Sequence, residues 1–280
     1  MLCIYHSADS DGKCSGAIVK NKFPECELIG MNYGESFPFD KIKKDEVVYM
    51  VDFVFQPFSL MDDILKITPN LIWIDHHISA IKEYEASGLK IEGLREVGKA
   101  ACELTWMYLY QTQDVPYCVK LLSLYDIWNH TDPNVLDFQN GLWLENTYPD
   151  SPIWKDIFDS EPSFYNPILE NGKIILRYRT LEDTRYVKSC SFEAEFEGYK
   201  CIVVNKMYTS SKVFDSIWDE TKYDMMVIFG YRKGYWHVSL YSTKASVDVS
   251  ILAKKYGGGG HKGAGGMELN MDDMIKIGLI

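Results

Sequence analysis

The chain has 280 residues, of which 46% are hydrophobic and 25% charged, and its formal net charge is −11. This length is enough for two domains, and the composition is ordinary for a folded protein. The negative charge argues against a protein that coats duplex DNA, which would usually present a basic face. It does not exclude an enzyme that binds a short nucleotide in a local pocket.

The cysteines and the N-terminus favour a cytoplasmic protein. The seven cysteines are odd in number and include no Cys-x-x-Cys pair, so we expect buried, reduced thiols. The N-terminus lacks the basic and apolar segments of a signal peptide. No run approaches the ~20 apolar residues that cross a bilayer, so we expect no membrane partner.

The first half of the chain alternates short apolar runs with helical segments. We expect strands over 2–5, 26–32, 47–51 and 71–74, and helices over 15–22 and 58–67. Strands that alternate with helices predict a mainly parallel sheet that is covered on both faces.

Polar side chains follow three of these strands. They are His6, Asp9 and Asp11 after the first, Asp52 after the third, and Asp75, His76 and His77 after the fourth. In open parallel sheets, ligands bind outside the carboxyl ends of the strands. The sequence therefore predicts a functional site at this edge of the sheet.

Downstream, Cys102, Thr105, Trp106 and Leu109 have helical spacing, and a second helix is expected over 119–128 with Asp126 near its end. The segment 130–167 gives no clear pattern. A helix over 168–188 is expected to connect the first domain to a smaller mixed α/β domain. In that domain we expect hairpin turns near 195–200 and 232–234, strands over 201–205, 225–231 and 236–242, and helices over 211–220 and 249–256.

The most unusual segment is 257–266, which contains seven glycines with His261 and Lys262 in the middle. Glycine lets the backbone approach a ligand closely, and successive backbone N–H groups bind anions well. With one imidazole and one ammonium added, this segment is predicted to grip a phosphate or a nucleotide.

The first cluster has the composition of a divalent metal site. Carboxylate and imidazole ligands without thiolate favour Mn²⁺, Mg²⁺ or Zn²⁺. Two such ions about 3.5–4 Å apart can clamp a phosphoryl group and activate a water molecule. We expect two ions, with Mn²⁺ as the first choice and Mg²⁺ as the alternative.

These motifs resemble those of the DHH phosphoesterases, which include nanoRNases, RecJ-type exonucleases and family II pyrophosphatases. The N-terminal motifs are His6-x-x-Asp9-x-Asp11-Gly12, Asp52, Asp75-His76-His77 and Asp126. The fifth, Gly257-Gly-Gly-Gly-His261-Lys262-Gly-Ala-Gly-Gly266, resembles the DHH-associated C-terminal domain. The resemblance implies a catalytic metal-binding domain over 1–160, a connecting helix over 161–190 and a substrate-binding domain over 191–280, with the active site in the cleft between the domains.

The resemblance also implies a role for each matching position. One ion would be held by His6, Asp9 and Asp52, and the other by Asp11, Asp52, His76 and Asp126. Asp52 would bridge the two ions, His77 would face the substrate phosphate, and Asp75 would orient the ring of His76.

The substrate would be bound mainly by Gly258, Gly259, Gly260, His261 and Lys262. Lys99 belongs to a Gly98-Lys-Ala-Ala101 segment that would let a phosphate approach the N-terminus of the next helix, although an ordinary helix start explains it equally well. The family often has an arginine in the strand where this chain has Tyr241. Stacking by Tyr241, or substitution by Arg232 or Lys244, are alternatives that stay open.

The function expected from this resemblance is hydrolysis of short nucleotide phosphodiesters or nucleoside bisphosphates. The alternatives are a pyrophosphatase or exopolyphosphatase, a RecJ-like single-strand exonuclease, and a non-catalytic nucleotide sensor. The expected partner is a small nucleotide or a short single-stranded oligonucleotide, and a homodimer is an open alternative.

Overall fold

The structure is a computed structural model that describes residues 1–37 and 39–279, with the exception of the side chain of His261. The chain divides into two compact units, Met1–Leu176 and Arg177–Ile280. The division falls inside a long helix, Pro162–Cys190.

A four-stranded parallel sheet forms the centre of the first unit. Its strands are β1 Leu2–His6, β2 Glu27–Met31, β3 Val48–Val51 and β4 Leu71–Ile74, in the spatial order β2-β1-β3-β4. All four residues of β3 are buried, as expected for a strand covered on both faces. The four expected strands and their parallel arrangement are confirmed.

Seven helices of the first unit surround this sheet or pack beside it. They are α1 Ser10–Lys22, α2 Leu60–Ile67, α3 Ile78–Ser87, α4 Ala101–Tyr110, α5 Tyr117–Asp126, α6 Asn134–Leu142 and α7 Ile153–Asp159. Alternate residues of β1 enter different hydrophobic clusters: Leu2 and Ile4 enter one, Cys3 and Tyr5 the other. The predicted two-sided burial of the sheet is therefore confirmed.

Several helices differ from the expectation. Helix α1 begins at Ser10 rather than at residue 15, because the side chain of Asp9 accepts a hydrogen bond from the N–H of Gly12 and caps the helix. Helix α5 ends at Asp126, and Trp128 adopts a positive φ of 57° that ends the helical path. Helices α3, α6 and α7 lie in segments where the sequence pattern gave no expectation.

Helix α8, Pro162–Cys190, packs against α6 at two glycines. A Cβ atom added to Gly141 would lie 1.9 Å from the carbonyl oxygen of Ile168, and one added to Gly172 would lie 1.7 Å from that of Asp137. The two helices therefore touch backbone to backbone, which only glycine permits. The helix expected over 168–188 is confirmed and is longer than predicted.

The second unit contains a six-stranded mixed sheet. Its strands are β5 Ser191–Phe196, β6 Tyr199–Asn205, β7 Met225–Arg232, β8 Tyr235–Tyr241, β9 Gly259–His261 and β10 Ala264–Leu269, in the order β5-β6-β7-β8-β10-β9. Strands β6 and β7 are parallel and the other pairs antiparallel. Two helices, α9 Val249–Lys255 and α10 Met271–Lys276, complete the unit.

Both predicted hairpin turns are present. Lys233 and Gly234 have φ values of 52° and 93°, and Glu197 and Gly198 have 52° and 81°. Two successive positive φ values are typical of the turns that join twisted antiparallel strands.

The prediction of a helix over 211–220 is wrong. Only a short 3₁₀ turn, Ser211–Phe214, forms there. The side chain of Asp219 accepts a hydrogen bond from the N–H of Thr221, and such local bonds compete with helical ones.

Among the described residues, no helix combines the length and the apolar composition that a membrane crossing requires.

We expect Gly172→Ala to lower the free energy of unfolding by about 1–3 kcal/mol, because the added methyl group forces α6 and α8 apart. Alanine favours helix by about 1 kcal/mol over glycine. Destabilisation by the substitution would therefore indicate the close helix contact, and stabilisation would indicate helix propensity alone. Urea unfolding measures it. Asn171→Ala, at the exposed neighbouring position, is the control and should be neutral or stabilising. Stabilisation by both substitutions would contradict the close crossing.

Candidate metal centre

Three neighbouring strands deliver the first polar groups to one edge of the parallel sheet. His6 is the last residue of β1, Asp52 follows β3 and Asp75 follows β4. The backbone N–H of Asp52 donates to the carbonyl oxygen of Ile74 at 3.0 Å, and its φ is +54°. The chain therefore turns sharply at Asp52 while it is still bonded to the next strand. This turn directs a carboxylate that is only 2% exposed to the edge of the sheet.

The first group of potential ligands consists of His6, Asp9 and Asp52. The Nδ1 atom of His6 lies 2.9 Å from Oδ2 of Asp9 and 3.6 Å from Oδ2 of Asp52. One oxygen of Asp9 caps helix α1, and the other faces this group. A Cβ atom on Gly12 would lie 2.0 Å from the carbonyl oxygen of His6, so glycine is what lets the start of α1 approach the end of β1.

The second group consists of Asp11, His76 and Asp126, and it adjoins Asp52. The Nε2 atom of His76 lies 3.7 Å from Asp11 and 3.3 Å from Asp126, and 3.5 Å from Oδ1 of Asp52. The two oxygens of Asp52 thus face different groups, Oδ2 the first and Oδ1 the second. This is the arrangement that a bridging carboxylate requires.

Asp75 holds the ring of His77 rather than that of His76, which corrects the expectation. Its Oδ1 lies 2.7 Å from Nδ1 of His77 and also accepts the backbone N–H groups of His76 and His77. Its Oδ2 accepts from the indole N–H of Trp73. Asp75 is fully buried, so it acts as a fixed anchor for the turn after β4.

The N-terminus of α4 binds a carboxylate of the protein itself. The two oxygens of Asp11 accept the N–H groups of Ala101 and Cys102 at 2.9 Å and 2.7 Å. Because Asp11 already occupies this helix end, the ordinary helix start is favoured over a phosphate site, the other alternative for this segment. The nearby ammonium of Lys99 pairs with Glu96.

Buried polar residues that the sequence pattern did not single out support this helix end. The hydroxyl of Ser123 accepts the N–H of Ala100 at 3.2 Å and donates to Glu103 at 2.5 Å, and Glu103 also pairs with Lys120. Glu103 is 3% exposed. A carboxylate within the otherwise apolar run of α4 is the one signal in the sequence that could have indicated this chain of bonds.

The carboxylates repel one another. Burial and the nearby Asp52 raise the pKa of Asp11 to about 8, and burial and Asp11 raise that of Asp126 to about 7. Burial alone would lower the pKa of His76, but the surrounding carboxylates, Asp52 first, raise it to about 10. The cluster thus attracts positive charge.

The donor set fits a divalent cation. Oδ1 of Asp52 is buried and makes no hydrogen bond to any residue that the structure describes. A buried carboxylate oxygen without a hydrogen bond is costly, and a cation would satisfy it. Oxygen and imidazole donors suit Mn²⁺, Mg²⁺ or Zn²⁺.

The glycine-rich segment of the second unit folds as a hairpin, not as a loop. It forms β9 and β10 at the edge of the mixed sheet. A Cβ atom on Gly258 would lie 2.0 Å from the carbonyl oxygen of Gly266, and one on Gly260 would lie 2.4 Å from that of Ala264. The N–H of Gly258 donates to the carbonyl oxygen of Ala253, so it is not available to an anion, contrary to the prediction.

The remaining predicted substrate residues are spread over the second unit. Gly259 pairs with Gly266 in the hairpin, and Lys262 is exposed at its turn. The side chain of His261 lies outside what the structure describes.

Tyr241 packs against a hydrophobic cluster, and burial raises its pKa, so a stacking role for it gains no support. Arg232 pairs with Tyr235, six residues along β8 and so about 20 Å from Tyr241. Arg232 therefore cannot substitute for an arginine at position 241. The ammonium of Lys244, the third alternative, pairs with Asp224 at 2.7 Å.

We expect Mn²⁺ to raise the melting temperature more at about pH 8 than at about pH 6. The raised pKa values of Asp11 and Asp126 mean that the folded, metal-free protein holds protons that the unfolded chain releases above about pH 4. Its stability therefore falls as the pH rises towards 8, and the raised pKa of His76 acts in the same direction.

A bound cation replaces these protons, so the stability of the folded protein no longer falls as the pH rises. Thermal unfolding with and without Mn²⁺ measures the effect, with sodium chloride of equal ionic strength as the control for screening. A shift that stays constant or shrinks as the pH rises would contradict cation binding by these carboxylates.

Comparisons with known proteins show which solved structures share this fold. No protein-family model matches the chain. An uncharacterized protein, R106, of Acanthamoeba polyphaga mimivirus is 26% identical over 240 residues, which are 81% of this chain. The chain spans about half, 54%, of the length of this curated relative.

Three solved structures resemble the chain over 99% of its length. A DHH domain from a member of a family of ribosomal proteins has a TM-score of 0.65 at 14% identity and is covered to 84%. The pGpG-specific phosphodiesterase PggH from Vibrio cholerae has a TM-score of 0.56 at 14% sequence identity, and the match covers 95% of its chain. An exopolyphosphatase-related protein from Bacteroides fragilis has a TM-score of 0.53 at 17% sequence identity, and the match covers 89% of its chain. The chain therefore has the fold of these DHH-type structures, as its motifs predicted.

Proposed function

We propose that the chain is a metal-dependent hydrolase of phosphoester bonds. The observation that carries this proposal is the convergence of two ligand groups on the two oxygens of Asp52, at the carboxyl edge of a parallel sheet. Likeness in fold to a phosphodiesterase and to an exopolyphosphatase-related protein supports the same class of reaction.

His6 and Asp9 would hold one cation, Asp11, His76 and Asp126 the other, and Asp52 both. Divalent cations held there would polarise a phosphoryl oxygen and lower the pKa of a water molecule. Mn²⁺ is the cation that we propose. Two cations would also remove the mutual repulsion of the buried carboxylates, so the same ions would serve stability and chemistry.

His77 is proposed to donate a hydrogen bond to a phosphoryl oxygen. Burial alone would lower its pKa, but in the metal-free protein the hydrogen bond to Asp75 raises it to about 9. Asp75 also fixes the orientation of the ring. An oriented donor beside the cations would stabilise the negative charge that develops on the phosphoryl group.

The proposed substrates are short nucleotide phosphodiesters or nucleoside bisphosphates, and pGpG is the substrate named for one structure of the same fold. The net charge of −11 disfavours long nucleic acids, which bind through many phosphate contacts. A phosphoanhydride hydrolase is the alternative that the exopolyphosphatase-related structure supports. A reducing, cytoplasmic setting is proposed because all seven cysteines are free.

We expect Asp52→Asn to lower kcat for a dinucleotide about a thousandfold or more, because the bridging side chain loses its negative charge and one of its two ligand oxygens. Asparagine tolerates the φ of +54° better than alanine would, so the change removes charge with little backbone strain. Steady-state kinetics with Mn²⁺, together with calorimetric titration of Mn²⁺, measures both effects.

The matched control is Asp45→Asn. Asp45 has a similar φ of +59° but is exposed and lies outside the cluster. It should retain wild-type kinetics. Near-wild-type turnover by the Asp52 variant would refute the bridging role, and loss of activity in the control would show that the effect of the first substitution is not specific.

A second test concerns chain length and bond type. With Mn²⁺ and purified protein, we expect kcat/KM to be highest for dinucleotides or for a nucleoside 3′,5′-bisphosphate, and to fall as oligonucleotides lengthen. Pyrophosphate and polyphosphate are assayed in parallel. Equal rates on long single strands would favour a RecJ-like exonuclease, and preference for polyphosphate would favour the phosphoanhydride alternative. Nucleotide binding without any product would identify a sensor.

A further inference from the structure

A cavity adjoins the metal centre within the first unit. It has a volume of about 300 Å³ and lies between the start of α1, the end of α5 and helix α6. Asp9, Asp11 and Asp126, which belong to the metal centre, form part of its wall. A group attached to a phosphate at the centre would therefore reach this cavity directly.

Gln139 of α6 lines the cavity and has an unused hydrogen-bond acceptor. The residue is 3% exposed, and its Nε2 donates to the hydroxyl of Ser10 at 2.8 Å. Its Oε1 is buried and has no hydrogen-bond partner among the residues that the structure describes. A buried amide oxygen without a donor costs free energy, so a ligand that brings an N–H or O–H group to Gln139 would relieve that cost.

The remaining walls define the ligand further. One side is apolar and aromatic, with Leu122, Leu142 and Trp143, of which Trp143 is 48% exposed. The other side carries the carboxylates of Asp9, Asp11 and Asp126, which repel a second anion. A flat, neutral group with hydrogen-bond donors on its edge suits both sides, because one face would stack on the indole and the edge would offer a donor to Gln139 once its side chain rotates towards the cavity.

We propose that this cavity is a nucleoside subsite, which holds the base, stacked on the indole of Trp143, of a nucleotide whose phosphate lies at the metal centre. The inference rests on the proposed function and deepens it. Lys13 also lines the cavity, and no carboxylate lies within ion-pair distance of it in the described part of the chain. Its ammonium would offset part of the phosphate charge of such a nucleotide.

Calorimetric titration of the full chain loaded with Mn²⁺ tests this subsite without turnover. The probes are guanosine 5′-monophosphate and ribose 5-phosphate, which lacks the base. Stacking and one hydrogen bond should make the wild-type protein bind the nucleotide at least about tenfold more tightly. Equal affinity for the two probes, or binding of neither, would overturn the subsite and leave ordered water as the content of the cavity.

Two variants test which side chains of the cavity contact the nucleotide. Gln139→Met keeps the length of the side chain but removes the acceptor, and it should weaken nucleotide binding about fivefold. Trp143→Ala should weaken it about tenfold. Affinity for ribose 5-phosphate and for Mn²⁺ should stay unchanged in Trp143→Ala and in the control Gln113→Met, an exposed glutamine. Weaker Mn²⁺ binding by both cavity variants would mean that they act through the metal centre, and would overturn the proposal.

The 2′-deoxy nucleotide separates the two sources of the donor. If the wild-type protein binds it as well as the ribonucleotide, the base supplies the donor. If it binds about fivefold more weakly and Gln139→Met abolishes the difference, the ribose hydroxyl supplies it. Binding as expected without hydrolysis of any dinucleotide would refute the proposed function alone. Hydrolysis without base-dependent binding would refute the subsite alone.

Discussion

Like charges buried at one point are the constraint on which the first unit depends. Asp11 and Asp52 are each 2% exposed, and Asp126 lies beside them, with His76 between the three carboxylates. Such a group is unfavourable unless protons or cations neutralise it. The fold nevertheless directs all three to one point, and it uses a left-handed residue, Asp52, at the end of a central strand to do so. Strain and repulsion of this kind are typical of functional sites.

The surrounding bonds hold these groups in place before any ligand arrives. Helix α4 binds Asp11 at its N-terminus, and Ser123 and Glu103 tie that terminus to α5, the helix that ends in Asp126. Two candidate ligands from distant parts of the sequence are thus positioned by one pair of helices. On the other side, Asp75 fixes both the turn after β4 and the ring of His77. Preorganisation of this kind lowers the cost of ordering the ligands when a cation binds.

The sequence predicted the sheet and the members of the cluster because both follow from local patterns. Buried strands appear as apolar runs, and ligands appear as polar residues where those runs stop. What could not be predicted depends on contacts between distant segments. The partner of Asp75 is set by the turn after β4, and the use of the α4 terminus by Asp11 is set by the packing of α1 on α4. Gln139 lies in a helix with polar and apolar positions, where a polar residue is normally expected to face solvent. Its burial and its oxygen without a hydrogen bond could therefore not be predicted from the sequence.

The glycine-rich segment shows how one composition can have two physical causes. Glycines that bind an anion and glycines that allow a tight backbone approach give the same sequence. Here the contacts at Gly258 and Gly260 show that packing alone already requires glycine at these positions. The N–H of Gly258 is bonded within the protein, and so is that of Gly257. Glycine content is therefore weak support for an anion site in the second unit. A nucleotide site is better supported in the first unit, where the buried oxygens of Asp52 and Gln139 make no hydrogen bond to the described residues.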